Sequence, residues 1–268
     1  MVRYLLTLAS LLMIGLLAAC NANAGGDQTA PVQVDNANLV EWDRNPNTVV
    51  FRADVTGGNP DPLLARSEIP ACTLYGDNHA VWTNELGPFE VQVLEDRLTD
   101  DQMRTFFNFV MLNEQIYKYP ARKDDEPASA VTPVVESLTL FVNKVNHVTD
   151  AFSGWDIDYY QTILKACKDV SLAPVIYEPT AGWISAQAIT YDPTSPGVFW
   201  DAQANQLSLA DLAASGERKW ITDRNVRVMW NILRTSPPSV QFNEDNLPYH
   251  VAFEVPNVTR ESPPAPSS

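Results

Sequence analysis

Histidine is scarce in this chain. Three occur among 268 residues, His79, His147 and His250, and none has another histidine or a cysteine at metal-ligand spacing. A metal site therefore has no anchor in the sequence, and no residue is assigned a catalytic, cofactor-binding or metal-binding role. No G-x-S-x-G elbow occurs, and Ser215-Gly216 stands without a partner pattern. A Ser-His-Asp triad is left to whatever folding brings together. No glycine-rich phosphate loop occurs, since Gly57-Gly58 alone marks a turn. Positive charge is also short: 18 Lys and Arg face 33 Asp and Glu, a formal charge of −15. Such a surface repels nucleic-acid phosphates and anionic headgroups, which excludes nucleic acid as a partner and favours cations and basic partners. The acids are dispersed, with Asp100-Asp101 and Asp124-Asp125-Glu126 the longest runs, as on a solvated face. Past the first twenty residues, no stretch is long and apolar enough to span a bilayer.

What is present begins with MVRYLLTLASLLMIGLLAAC. Arg3 gives a positive start, an apolar run follows from Tyr4 to Ala19, and small residues close it. The run is short for a membrane span and has the parts of a secretory signal peptide, residues 1–19. The alternative is an ordinary signal peptide cut near Ala24. Leu17-Ala18-Ala19-Cys20 resembles the lipobox of bacterial lipoproteins. That resemblance implies cleavage before Cys20 and acylation, including palmitate, of its sulfur and new amino group. Each buried methylene contributes about 0.8 kcal/mol, so two or three chains hold firmly where one does not. The implied address is the extracytoplasmic face of a membrane in the bacterial cell envelope. The mature chain then carries 17 basic and 33 acidic residues, a formal charge of −16.

Residues 20–40 are small and polar and read as a flexible tether. Residues 41–255 are long enough to bury a proper core, as one large domain or two small ones. The proline-rich loop between Tyr119 and Pro133 is the best internal boundary, and residues 256–268 read as a disordered tail. With Cys20 acylated, Cys72 and Cys167 remain. Either they form a bridge closing a loop near ~95 residues, with roughly 4 kcal/mol of chain-entropy stabilisation, or they are two buried thiols. The seven tryptophans are either core or the aromatic floor of a sugar-binding groove, and nothing groups them in sequence.

The periodicities predict strands at Thr48–Val55 and Phe89–Glu95 and a hairpin from Cys72–Tyr75 to His79–Thr83. The clearest helix starts at Thr99, which has Gln102 at the capping-box spacing and Leu98 with Met103 at the staple positions. A second hairpin joins Leu138–Val142 to Asn146–Ala151, followed by a helix near Asp156–Asp169 with Ile157, Tyr160, Ile163, Leu164 and Cys167 on one side. Next come a strand at Trp183–Tyr191, a short helix capped by Ser208 and ended by Gly216, and a helix starting at Thr222 or Asp223. Strands at Ser239–Asn243 and Tyr249–Val255 close the pattern. Strands grouped with intervening helices predict an α+β fold, largely antiparallel, with repeated strand-strand-helix units.

In TLYGDNHAVW, residues 73–82, Gly76, Asp77 and Asn78 are the residue types that accept a tight turn, with His79 opening the return strand. Residues 73–81 and Leu98-Thr99-Asp100-Asp101-Gln102-Met103 resemble a family of uncharacterised bacterial lipoproteins with an "LYGDG"-type hairpin. Asn146-His147-Val148, Tyr177-Glu178-Pro179, Trp200 and residues 249–256 resemble further landmarks of that group, so the likeness spans about residues 48–256. Asn78 stands where the group has a second glycine, and His79 where it has a basic residue. The resemblance implies a lipoprotein fold and address, and no activity.

Gly154-Trp155-Asp156-Ile157-Asp158-Tyr159-Tyr160 resembles the D-x-D-x-E strand of chitinase-type glycosidases. Tyr160 stands where the acid belongs, and a phenol with a pKa near ~10 is a poor general acid at neutral pH. Asp156 or Asp158 is then a helix N-cap. The function expected is that of a lipid-anchored extracytoplasmic binding or interaction protein, non-catalytic, with a protein or glycan partner. The alternatives are a cell-envelope hydrolase acting on glycan or peptide and a structural spacer.

Overall fold

The computed structural model describes residues 40–58, 61–121, 134–222 and 224–267. The signal peptide, Cys20 and most of the tether lie outside the described residues, as does most of the loop between Tyr119 and Pro133. All described residues belong to one unit, Ala37–Ser268.

The fold is α+β. Among the described residues, twelve strands form two sheets. The first is fully antiparallel and contains β1 (Val49–Thr56), β2 (Cys72–Tyr75), β3 (His79–Glu85), β4 (Val91–Arg97), β5 (Val135–Val142), β6 (Val145–Asp150) and the short β7 (Val175–Ile176). Its order is β6-β5-β1-β2-β3-β4-β7. The second contains β8 (Gly182–Ala188), β9 (Gly197–Phe199), β10 (Lys219–Ile221), β11 (Gln241–Glu244) and β12 (Leu247–Glu254), in the order β10-β8-β12-β11-β9, and only its β9–β11 pair is parallel. Two hairpins turn on pairs of left-handed residues, Asn143-Lys144 and Asp245-Asn246, the backbone that a two-residue turn of matching twist requires.

Among the described residues, six α-helices accompany the sheets: α1 (Pro62–Ala65), α2 (Asp100–Asn108), α3 (Tyr159–Asp169), α4 (Ala202–Asn205), α5 (Leu209–Ser215) and α6 (Arg224–Thr235). The capping box at Thr99 is formed in both directions: Gln102 N donates to Thr99 Oγ1 at 3.2 Å, and Thr99 N donates to Gln102 Oε1 at 2.8 Å. Leu98 and Met103 are both buried, as the staple requires. Ser208 caps α5, and Gly216 ends it in the left-handed conformation.

Alternation along the first sheet divides its side chains between two cores. Leu74 and Trp82 face α2 and α3, with Phe51, Leu140, Met103, Phe107 and Ile163. Their neighbours Tyr75 and Val81 face the second core, with Val93, Ile184, Phe253, Leu209 and Met229. Cys72 and Cys167 are disulfide-bonded with Cα atoms 6.4 Å apart, pinning α3 to β2 across the first core. The tryptophans are spread out. Trp42, Trp82 and Trp155 pack in or against the first core, and Trp200 and Trp230 in or against the second. Trp183 and Trp220 form an edge-to-face pair at 5.2 Å across β8 and β10.

Two expectations are corrected. Helix α3 starts at Tyr159, and neither aspartate caps it with its side chain. Asp158 takes the N-cap position in a left-handed conformation with no side-chain cap bond. Asp156 is drawn to Lys118 Nζ at 2.8 Å and the Tyr119 hydroxyl at 2.9 Å, and Ile157 is exposed rather than on the buried face. The segment expected to be a disordered tail is packed. Val258 and Thr259 are buried, the Arg260 guanidinium pairs with Asp54 and Glu68, and the Pro264 carbonyl accepts from Trp183 Nε1 at 3.1 Å.

Candidate functional site

The polar turn Gly76–His79 is a structural hub. Asn78 adopts φ 65°. Its Oδ1 accepts from Trp42 Nε1 at 3.2 Å and Arg44 Nη1 at 3.3 Å, and its Nδ2 donates to Asp100 Oδ1 at 2.7 Å. Arg44 grips Asp100 with both terminal nitrogens at 2.7 and 2.8 Å and lies over the Trp42 ring at 3.9 Å. The turn thus clamps the segment before β1 to the start of α2. The hydrogen bonds from Arg44 and then Asn78 hold the Asp100 carboxyl well below the usual carboxylate range. Because the folded value is depressed, that contribution is present above the unfolded pKa near ~3.9 and is lost as pH falls toward the folded value. Each side chain of the turn has a partner: Asp77 pairs with Arg97, Asn78 with Asp100, and His79 with Glu95.

The histidines stand on three separate strands. His79 Nε2 meets Glu95 Oε2 at 2.8 Å, and His250 Nδ1 meets Asp61 Oδ2 at 2.8 Å. Among the described residues, neither ring is hydrogen-bonded to a hydroxyl or thiol that an imidazole base would activate. His147 is buried against the Tyr117 ring at 5.0 Å, and burial lowers its pKa. Among the described residues, no three His, Cys, Asp or Glu side chains are placed to hold a metal ion. Tyr160 is buried with its hydroxyl unpartnered, and burial raises its pKa. Asp156 is held by Lys118 and Tyr119, so the glycosidase-like string forms no acid pair.

A more suggestive arrangement lies where the two sheets meet α6. A cavity of about 220 Å³ opens there, walled by Leu64, Val91, Leu233 and Val251 together with the loop residues Pro88, Phe89, Pro237 and Pro238. Its polar members are Ser67, Glu68, Arg234 and Ser236. Four separated segments build it, so its lining has no local signature. Helix α6 carries Arg234 one turn after Trp230, while Val226 and Met229 anchor the helix in the second core.

Arg234 is unusual in so acidic a chain. Among the described residues it has no carboxylate within ion-pair distance. Its Nη2 donates to the Ser67 carbonyl at 2.9 Å, its Nε is sealed from solvent without a partner, and the guanidinium lies 5.3 Å from the Trp230 ring. Burial lowers its pKa to about 10, so it stays charged at neutral pH. The end of α6 and the indole face offset part of that charge. Nη1 makes no hydrogen bond to the described residues, and the residue lines the cavity, which leaves a donor for an acceptor bound there. The neighbouring carboxylate, Glu68, is already paired with Arg260. The result is a small apolar recess with one uncompensated cation.

Nothing in the local sequence singles out Arg234. Its lack of a partner depends on the fold and has no local signal. No protein-family model, curated protein or solved structure matches the chain.

Proposed function

We propose that the protein is a lipid-anchored, extracytoplasmic binding protein without catalysis, and that the cavity at Arg234 holds its ligand, an anion with an apolar body. The single observation that carries the binding site is the unpaired guanidinium in an apolar recess. Burying a charge without a partner is costly, and a bound anion relieves that cost. The anchor rests on the lipobox-like residues ending at Cys20. Among the described residues, no hydroxyl or thiol is hydrogen-bonded to either histidine–carboxylate pair, which favours binding over the hydrolase alternative.

Each half has its own test. Labelled palmitate is expected to enter the wild-type chain and to be lost in Cys20→Ala; incorporation that persists in the variant removes the anchor. Calorimetric titration with benzoate and with phenyl phosphate is expected to give saturable binding of at least one, weakened at least about tenfold in Arg234→Met. If neither saturates a folded wild-type protein, the binding site is refuted.

A further inference from the structure

Building on the reading of Arg234 as a ligand-binding cation, we infer that the ligand class is a small monocarboxylate with a compact apolar body. Three observations select it. First, the charge balance admits one negative charge. Among the described residues Arg234 has no carboxylate within ion-pair distance, while Arg260 is already shared between Glu68 and Asp54, so the cluster has no positive charge to spare for a second anionic charge. A phosphate dianion would bring a second charge with no cation to meet it, in a chain of net charge −15.

Second, the donors match a carboxylate. Arg234 Nη1 makes no hydrogen bond to the described residues. The Ser67 hydroxyl accepts from Phe253 N at 2.9 Å and donates to no other group among the described residues, so its own proton remains to give. Ser236 lines the same cavity. A guanidinium N–H and two serine hydroxyls lining one cavity are donors for two carboxylate oxygens.

Third, the walls and the volume set the remainder of the ligand. Leu64, Val91, Leu233 and Val251 offer no hydrogen bonds, and the prolines and Phe89 present flat apolar faces. The cavity of about 220 Å³ holds the space of roughly seven water molecules, below the range of drug-sized pockets. An aromatic or branched acid of about ten non-hydrogen atoms fills it. Phe89, 54% exposed, stands at the rim.

The test is a calorimetric panel of benzoate, benzamide, phenyl phosphate and N-acetyl-Ala-Phe on the wild-type chain, Arg234→Met, Arg234→Lys and Phe89→Ser. Benzoate is expected to bind about ten- to a hundredfold more tightly than its neutral isostere benzamide, and more tightly than phenyl phosphate. Arg234→Met should erase that preference and Arg234→Lys should keep part of it, because the charge survives without the planar fork. Phe89→Ser alters an exposed position, so it should weaken benzoate several-fold with the unfolding midpoint unchanged. It therefore serves as a readout should Arg234→Met fail to fold. N-acetyl-Ala-Phe presents the same carboxylate at a chain end. If it binds more tightly than benzoate, the source is a peptide C-terminus; if more weakly, a free acid; either supports the class. Phenyl phosphate binding more tightly than benzoate overturns the carboxylate class while leaving an anion site at Arg234. Equal binding of benzamide and benzoate overturns recognition by charge. Failure of every compound overturns both the class and the site.

Discussion

Replacing Gly76 with alanine is expected to cost about 3–5 kcal/mol, a large part of the 5–15 kcal/mol that holds a typical domain together. A Cβ at Gly76 would lie 2.1 Å from the Asp43 carbonyl oxygen and 2.5 Å from that of Asn45. Both are backbone atoms, so no side chain can swing aside. Gly76 N donates to the Thr48 carbonyl at 2.9 Å, which holds the two segments at that separation. The methyl group must push the 43–48 segment off the turn. That movement breaks the grip of Asn78 on Trp42 and lifts Trp42 from the Phe107 ring, 5.3 Å away. Urea unfolding of Gly76→Ala, followed by near-ultraviolet dichroism for the Trp42 environment, measures both consequences. A loss below about 1 kcal/mol with an unchanged tryptophan signal would show that the close approach has no energetic weight.

Arg260→Met is expected to destabilise by about 3–5 kcal/mol, the usual cost of stranding a buried carboxylate. Arg260 Nε and Nη2 reach the two oxygens of Asp54 at 2.6 and 2.9 Å, and Asp54 is only 5% exposed. Nη1 pairs with Glu68, and Nη2 also donates to the Val55 carbonyl at 2.9 Å. Burial alone pulls the guanidinium pKa down, but the hydrogen bonds and charges of Asp54 and Glu68 outweigh it and leave the pKa above its ordinary value. Methionine keeps the stem and removes every donor. Adding Asp54→Asn should recover part of the loss, because the stranded group is then neutral. Chemical denaturation of the wild type, both single variants and the double variant completes the cycle. A double variant no more stable than Arg260→Met would refute the pairing as the source of the cost.

Local signals made several parts of this fold readable. Thr99 and Gln102 are three residues apart, so their reciprocal bonds are written in a four-residue string. Gly216 and the Cys72–Tyr75 to His79–Glu85 hairpin are similarly local. The misreadings come from contacts distant in sequence. Asp156 has the chemistry of a cap, but Lys118 and Tyr119, almost forty residues earlier, claim its carboxylate. The segment after Pro256 has the composition of a loose tail, and one arginine with partners about 200 residues away fastens it. Strands β7, β9 and β10 have two or three residues each, too few for a period to show. The cavity is the extreme case. Leu64, Phe89, Arg234 and Val251 each look ordinary in their own strings, and the information lies in their convergence.

Asn257 Nδ2 donates to Asn47 Oδ1 at 3.0 Å. The segment that leads into β1 therefore lies beside the turn that follows β12. Because Val258 and Arg260 pack beyond that turn, a gene cut short at Asn257 would strip the folded body of a brace, and a fusion partner belongs after the packed segment.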